Sequence, residues 1–386
     1  MKAAASLVLT SDPAEAARQA TEQALASLAG QPTFAVLFAS EHFHISAPAL
    51  LKAVTDQLGP VPLIGCIAEA VAGNAREVEN EPAVSLFLAA DTGPVETFSM
   101  QFVRTASGGA FGGYQFEPGR AGACLMISDP FTFPAEYLLS HLNEHAAGTL
   151  VMGGMASGGL GAQRSRLFLD GKVLSEGAVG AYLPDARIHP LVSQGCRPVG
   201  EPFTVTAAEG NLVQELGGQP AMSRLQDLAA SLSEEDRELL VQGVQVGIVM
   251  NEYGGENRQG DFLIRGILGA QPETGAIAVG DEVEVGQTLQ FHVRDADSAD
   301  KDLQRVLGQE TTALGGQRPA GALLFTCNGR GSRLFPEPSH DTGLIAKMMG
   351  DIPVAGFFCA GELGPVGGQN YVHAFTASIA LFPTEP

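Results

Sequence analysis

Short apolar runs rich in Val, Ile, Leu and Phe alternate along the chain with stretches whose apolar residues recur every three to four positions. The first pattern predicts buried strands, the second amphipathic helices, and their alternation predicts βαβ units. Three such units stand out. The first runs FAVLFAS (34–40), SAPALLKAVTDQL and VPLIGCIAEA (61–70). The second runs ACLMISD (123–129), PAEYLLSHLNEHA and TLVMGGMASGG (149–159). The third runs ALLFTCN (322–328), TGLIAKMM and IPVAGFFCAGE (352–362).

In each unit the closing strand carries a glycine near its middle (Gly65, Gly153, Gly356), then a turn of small residues, then another apolar strand: AVSLFLAA, AVGAYLP and HAFTASIALF. The first and third units match over a longer span. LVLTSDPAEAARQATEQAL precedes one and FHVRDADSADKDLQRVLGQ the other, each a strand, an Asp-rich cap and a helix, with Asp12 and Asp295 near the N-caps. Between them, 187–295 reads as strands and turns around an acidic-capped helix, which is antiparallel material. The fold class expected is therefore α/β to α+β: two pseudo-symmetric domains, 1–186 and 187–386, built from βαβ units with additional antiparallel strands.

Charge narrows the partners. A net charge of −21 over 386 residues repels phosphate backbones and anionic bilayers, which argues against nucleic acid and membrane surfaces. The start, MKAAASLVLTSDP, lacks a full signal-like apolar run, and nothing approaches the roughly 20 apolar residues of a membrane span. Five scattered cysteines without a C-x-x-C pair favour reduced thiols. The expectation is a cytoplasmic protein without membrane insertion.

Candidate chemistry is sparse. CNGRGSRLF is a Gly-rich loop after a strand that could present N–H groups and Arg330 to an anion, but it fails as a dinucleotide fingerprint, and no phosphate loop occurs elsewhere. His42 with His44, and His141 with His145, lack the further ligands of a metal site. No cofactor, metal or nucleotide is expected. Cys327 and Cys359 end the two strands of the third unit, where α/β sheets bind ligands, and His340 or His373 could act as a base to either thiol. Asn328, Arg330, Glu362, Asn370 and His373 cluster in the same unit, and Arg with Glu complements the carboxylate and ammonium of an amino acid. Alternatively, Arg330 and Glu362 form an internal ion pair bracing the two turns.

GALLFTCNGRGSRLF with IPVAGFFCAGELGPVGGQNYVHAFTASIALF resembles the C-terminal part of the FIST family. PLIGCIAEAVAG, with the acidic REVEN and AVSLFLAA, resembles its N-terminal part. The resemblance implies a sensory role in signal transduction with a small ligand, amino acids foremost. It also places Cys327, Asn328, Arg330, Gly361, Glu362, Gly364 and Pro365 in the family's motifs. No output domain is recognisable, so signalling would require a partner in trans.

The reading is thus a small-molecule-binding sensory protein, its ligand bound by Cys327, Asn328, Arg330, Cys359, Glu362, Asn370 and His373. Arg330 and Glu362 are expected to line one pocket, with Arg330→Ala abolishing binding and sparing the fold. The alternatives are a cysteine-dependent enzyme using Cys327 or Cys359, and an acidic protein–protein adaptor.

Overall fold

The computed structural model describes residues 1–105, 108–159, 161–252 and 260–384. The chain begins with β1 (Lys2–Leu9), α1 (Pro13–Ser27), β2 (Phe34–Ser40), α2 (Ala47–Leu58), β3 (Leu63–Ala68), a hairpin of β4 (Val71–Gly73) and β5 (Arg76–Val78), and β6 (Ala83–Ala90). A second module follows: β7 (Glu96–Thr105), β8 (Gly108–Gly112), β9 (Ala123–Ser128), α3 (Ala135–His145), β10 (Leu150–Met155), a hairpin of β11 (Leu167–Leu169) and β12 (Lys172–Leu174), and β13 (Ala178–Leu183).

After β14 (His189–Gln194) come β15 (Cys196–Glu209), β16 (Leu212–Leu216), β17 (Gln219–Pro220), α4 (Ala221–Ser231), α5 (Glu234–Gln242), β18 (Val244–Val249), β19 (Phe262–Gln271), β20 (Ala276–Val279) and β21 (Thr288–Arg294). The third module then takes α6 (Ala296–Ala313), β22 (Gly321–Cys327), α7 (His340–Met349), β23 (Val354–Cys359), a hairpin of β24 (Glu362–Val366) and β25 (Gln369–His373), and β26 (Thr376–Phe382).

The chain is α+β, and its modules repeat. Strand orders β1-β6-β2-β3, β7-β13-β9-β10 and β14-β26-β22-β23 are the same order three times. In each, the last two strands are parallel and joined by a helix, as a βαβ crossover requires. The strands are buried on both faces, which is why they read as unbroken apolar runs rather than alternations. Helix starts follow the expected caps. The Asp12 carboxylate accepts from Glu15 N at 2.8 Å, and Asp295 accepts from Asp297 N and Ser298 N at 3.1 and 3.3 Å.

Each module hands its hairpin to another sheet. Strand β4 pairs with β23, β11 with β3, and β24 with β10, so first, second and third modules are linked in a cycle. The repeated glycine is where the borrowed strand lands: Gly65 faces Phe168, Gly153 faces Leu363, and Gly356 faces Ala72. A side chain there has no room. A Cβ on Gly65, Gly153 or Gly356 would lie 1.8, 1.8 or 2.2 Å from the carbonyl oxygen of Leu37, Met126 or Leu324 on the parallel neighbour. The stretch from Gly356 to Glu362 is thus the step by which the chain leaves one sheet and enters the next.

Residues Ser193–Asp302 form a separate compact unit, and Met1–Val192 with Leu303–Pro386 form the other. In the smaller unit β15 pairs with both β21 and β16, so the order β15-β21-β18-β19-β20-β16 closes into an antiparallel barrel. A shift of register between Val199 and Phe203 bends β15 so that it can serve both neighbours. The compact units therefore do not divide at 186/187. The reason is the exchange: 1–186 lends a hairpin to the third module and borrows one back, and strand β14 of that module precedes the barrel. The antiparallel material expected over 187–295 is this barrel, with α4 as a helix that the sequence pattern did not single out.

Candidate functional site

The C-terminal ends of parallel strands are where α/β sheets hold ligands. In the larger unit these ends meet. The Ser157 hydroxyl, just past β10, donates to Phe358 O on β23 and accepts from Glu69 N just past β3 at 2.9 Å. One hydroxyl therefore ties together the turns after β3 and β10 and the end of β23, one from each module.

Above this point lies a polar group. Arg333 donates through Nη2 to Glu69 Oε1 and through Nη1 to Asn328 O at 2.7 Å, while Asn328 Nδ2 lies 3.4 Å from Glu69 Oε2. The Arg333 side chain is 54% exposed and that of Glu69 30%. Ser332 is held by Glu79, through N at 2.9 Å and Oγ at 2.7 Å.

Below it the charges are buried. Arg330 is fully enclosed and grips Asp341 with two bonds, Nε to Oδ2 at 2.8 Å and Nη2 to Oδ1 at 2.7 Å. Thr326 Oγ1 donates to Asp341 Oδ2 at 2.7 Å, and His340 Nδ1 lies 2.9 Å from Oδ1, its ring stacked 3.5 Å from Phe335. Burial works to raise the Asp341 carboxyl, but the Arg330 guanidinium overcomes it and holds the group well below the usual range. Glu77, brought in by the borrowed β4–β5 hairpin, accepts from Thr342 N at 2.9 Å. Burial, then the nearby Asp341 charge, push its carboxyl up to about 7.

Glu362 Oε2 accepts from Thr376 N at 3.1 Å and Oγ1 at 2.8 Å, yet burial pushes the carboxyl up to about 8. Arg330 Nη1 is enclosed without a hydrogen-bond partner; Glu362 Oε1 is enclosed as well, with the Cys327 thiol as its neighbour. A buried polar atom left unpaired costs about 1–3 kcal/mol, so the Arg330 Nη1 donor is open to a water or a ligand group.

Most of the expected residues are gathered here, but in changed roles. Arg330 pairs with Asp341, not Glu362, and is a brace. Cys327 lies beside Glu362, receives Gly329 N at 3.4 Å, and burial pushes its thiol upward. Burial does the same to Cys359, whose Sγ sits 3.6 Å from Phe357 O inside the apolar core. Neither environment favours a thiolate. His373 pairs across the hairpin from Glu362 and its Nε2 lies 3.0 Å from Gly364 O. Asn370 is elsewhere: its amide bonds Val151 N, Thr149 O and Asn143 Oδ1, anchoring the hairpin to the second module.

The loop glycines also answer to protein rather than ligand. A Cβ on Gly331, at φ +57°, would stand 2.7 Å from both Glu79 and Phe358. Sequence reasoning missed Asp341, Glu77, Glu69 and Arg333. The signals were present: SHD opens the helix after the Gly-rich loop, and Glu77 lies within REVEN.

Two family models match the sequence, the FIST N domain over residues 33–219 and the FIST C domain over 221–365. The chain belongs to the FIST family. FIST domains are sensory and signal-transduction domains, and here they occupy most of the chain. Relatives of this FIST chain are of similar length. It is 48% identical over 372 residues to the uncharacterized protein Rv0628c of Mycobacterium tuberculosis, covering 96% of this chain and 97% of that one. It is 47% identical over 383 residues to the uncharacterized protein Mb0898c of Mycobacterium bovis, covering 99% of each. Among its described residues, no helix is long and apolar enough to cross a membrane.

Proposed function

We propose that this FIST protein senses a small zwitterionic metabolite of the amino-acid class, bound where the three modules' turns meet. The observation that carries the reading is the Arg333–Glu69 pair with Asn328 over that junction. An exposed ion pair is worth only about 0–1 kcal/mol, so a ligand can replace each partner at little cost. Its carboxylate would take Arg333 in a two-bond grip and its ammonium would take Glu69. Arg330 is unsuited to that role, since opening a buried pair leaves an uncompensated charge. Its task is to hold the Asn328–Arg333 loop in place. Signal output would pass to a partner protein in trans, since the FIST N and FIST C matches account for residues 33–219 and 221–365.

A calorimetric panel of amino acids and small carboxylates against the full chain, Arg333→Ala and Glu69→Gln tests this. A ligand should bind the unmodified chain and weaken at least tenfold in both variants, with unfolding of the free protein nearly unchanged. Equal affinity in all three proteins would refute the assignment.

A further inference from the structure

The second module carries a separate cleft that the junction does not use. It measures about 490 Å³, within the range of small-molecule sites, and lies between α3 and the 109–118 segment. Its floor is apolar, formed by Met100, Leu138 and Leu142. Its walls are aromatic and already set. Tyr114 stacks on Phe98 at 3.9 Å with Phe116 edge-on at 5.1 Å, while Phe111 stacks directly on Tyr137 at 5.7 Å, joining the 109–118 segment to α3. Tyr137 remains 56% exposed, so a large ring is held in place without being covered.

The rim supplies directional polar groups from Gln115, two tyrosine hydroxyls and, on α3, a pair of histidines. His141 and His145 stack at 4.3 Å, one turn apart on α3. His145 Nδ1 lies 3.1 Å from His141 O and 3.8 Å from a Glu144 carboxylate oxygen. Both neighbours accept, so Nδ1 carries the proton and Nε2 presents a lone pair. None of the lining residues is acidic or a fixed cation, so nothing in the cleft matches an ionic ligand.

We infer that this cleft binds a flat, uncharged aromatic molecule bearing an N–H or O–H on its rim, of the indole or phenol class. The ring stacks between the Tyr137 and Tyr114 walls, and its rim donor bonds to His145 Nε2. Ring stacking gives affinity and the histidine gives selectivity.

Titration calorimetry of the full chain with indole, phenol and N-methylindole tests the assignment. Indole and phenol should saturate one site, and N-methylindole, which has no donor, should bind about tenfold more weakly. His145→Ala should erase the difference between indole and N-methylindole. Tyr137→Ala should weaken all three, and because that ring is exposed the unfolding midpoint should hold, which separates lost binding from lost fold. Three results would overturn the inference: no saturation by indole, equal binding of indole and N-methylindole to the unmodified chain, or discrimination that survives in His145→Ala.

Discussion

The first and third modules share a strand order and a parallel pair, yet they finish their central strands differently. The first ends Ala39–Ser40 and turns at once into a short 3-10 turn, Glu41–Phe43, whose Glu41 is exposed. The third ends Thr326–Cys327 and continues into a longer loop that buries Arg330 against Asp341. The same scaffold keeps its charge exposed at one strand end and buried at the other. Strand pairing and site chemistry are therefore separable, because pairing depends on backbone and apolar volume while the charges enter through a loop and a borrowed hairpin.

The largest effects should fall on what the modules share. Gly65→Val and Gly356→Val each force a side chain into a neighbouring carbonyl, and each should cost more than about 4 kcal/mol in urea unfolding. Tolerance at one site and not the other would break the equivalence. Next comes what they do not share. Arg330→Met leaves the buried Asp341 carboxylate without its guanidinium, and should cost about 3–5 kcal/mol, whereas Glu41→Gln in the first module should stay within about 0.5 kcal/mol.

The Glu362 carboxyl gives a third contrast. Its folded value of about 8 lies above the ordinary 4.5, so the folded chain keeps a proton that the unfolded chain loses. Stability is fully present below about 4.5 and falls as pH rises through about 8, by an amount on the order of a few kcal/mol. Glu362→Gln should flatten much of that slope in midpoints recorded across the window. Part should remain, since Glu77, pushed up to about 7, acts in the same direction. A slope unchanged by Glu362→Gln would assign it to other groups. At the site itself the smallest effect is that of Arg333→Ala, expected to cost less than about 1 kcal/mol of stability. A loss as large as that of Arg330→Met would make Arg333 a second brace and remove it from the ligand site.

The three βαβ units were legible because each is written locally, in apolar runs of strand length and in helical spacing. The recurring glycine was legible too, though its cause was not, since the colliding carbonyl belongs to a neighbouring strand. The hairpin exchange left no local mark, for β4 pairs with β23 and nothing near Val71 names Phe357 as its partner. The site failed in the same way. An arginine between glycines reads as a ligand residue until Asp341 is seen to fill its fork, and a sequence does not say which of 43 acids will do so.

The exchange also sets a schedule for synthesis. Val71 leaves the ribosome long before Phe357, its partner, has been made. At about 5–20 residues per second the β4–β5 hairpin must wait on the order of tens of seconds, its edge unpaired. In that interval Gly65 and its neighbours can already receive β11, but the cycle cannot close until the last module emerges. Nascent chains stalled before β23 should therefore be the species that chaperones hold and proteases cut, however stable the finished protein proves.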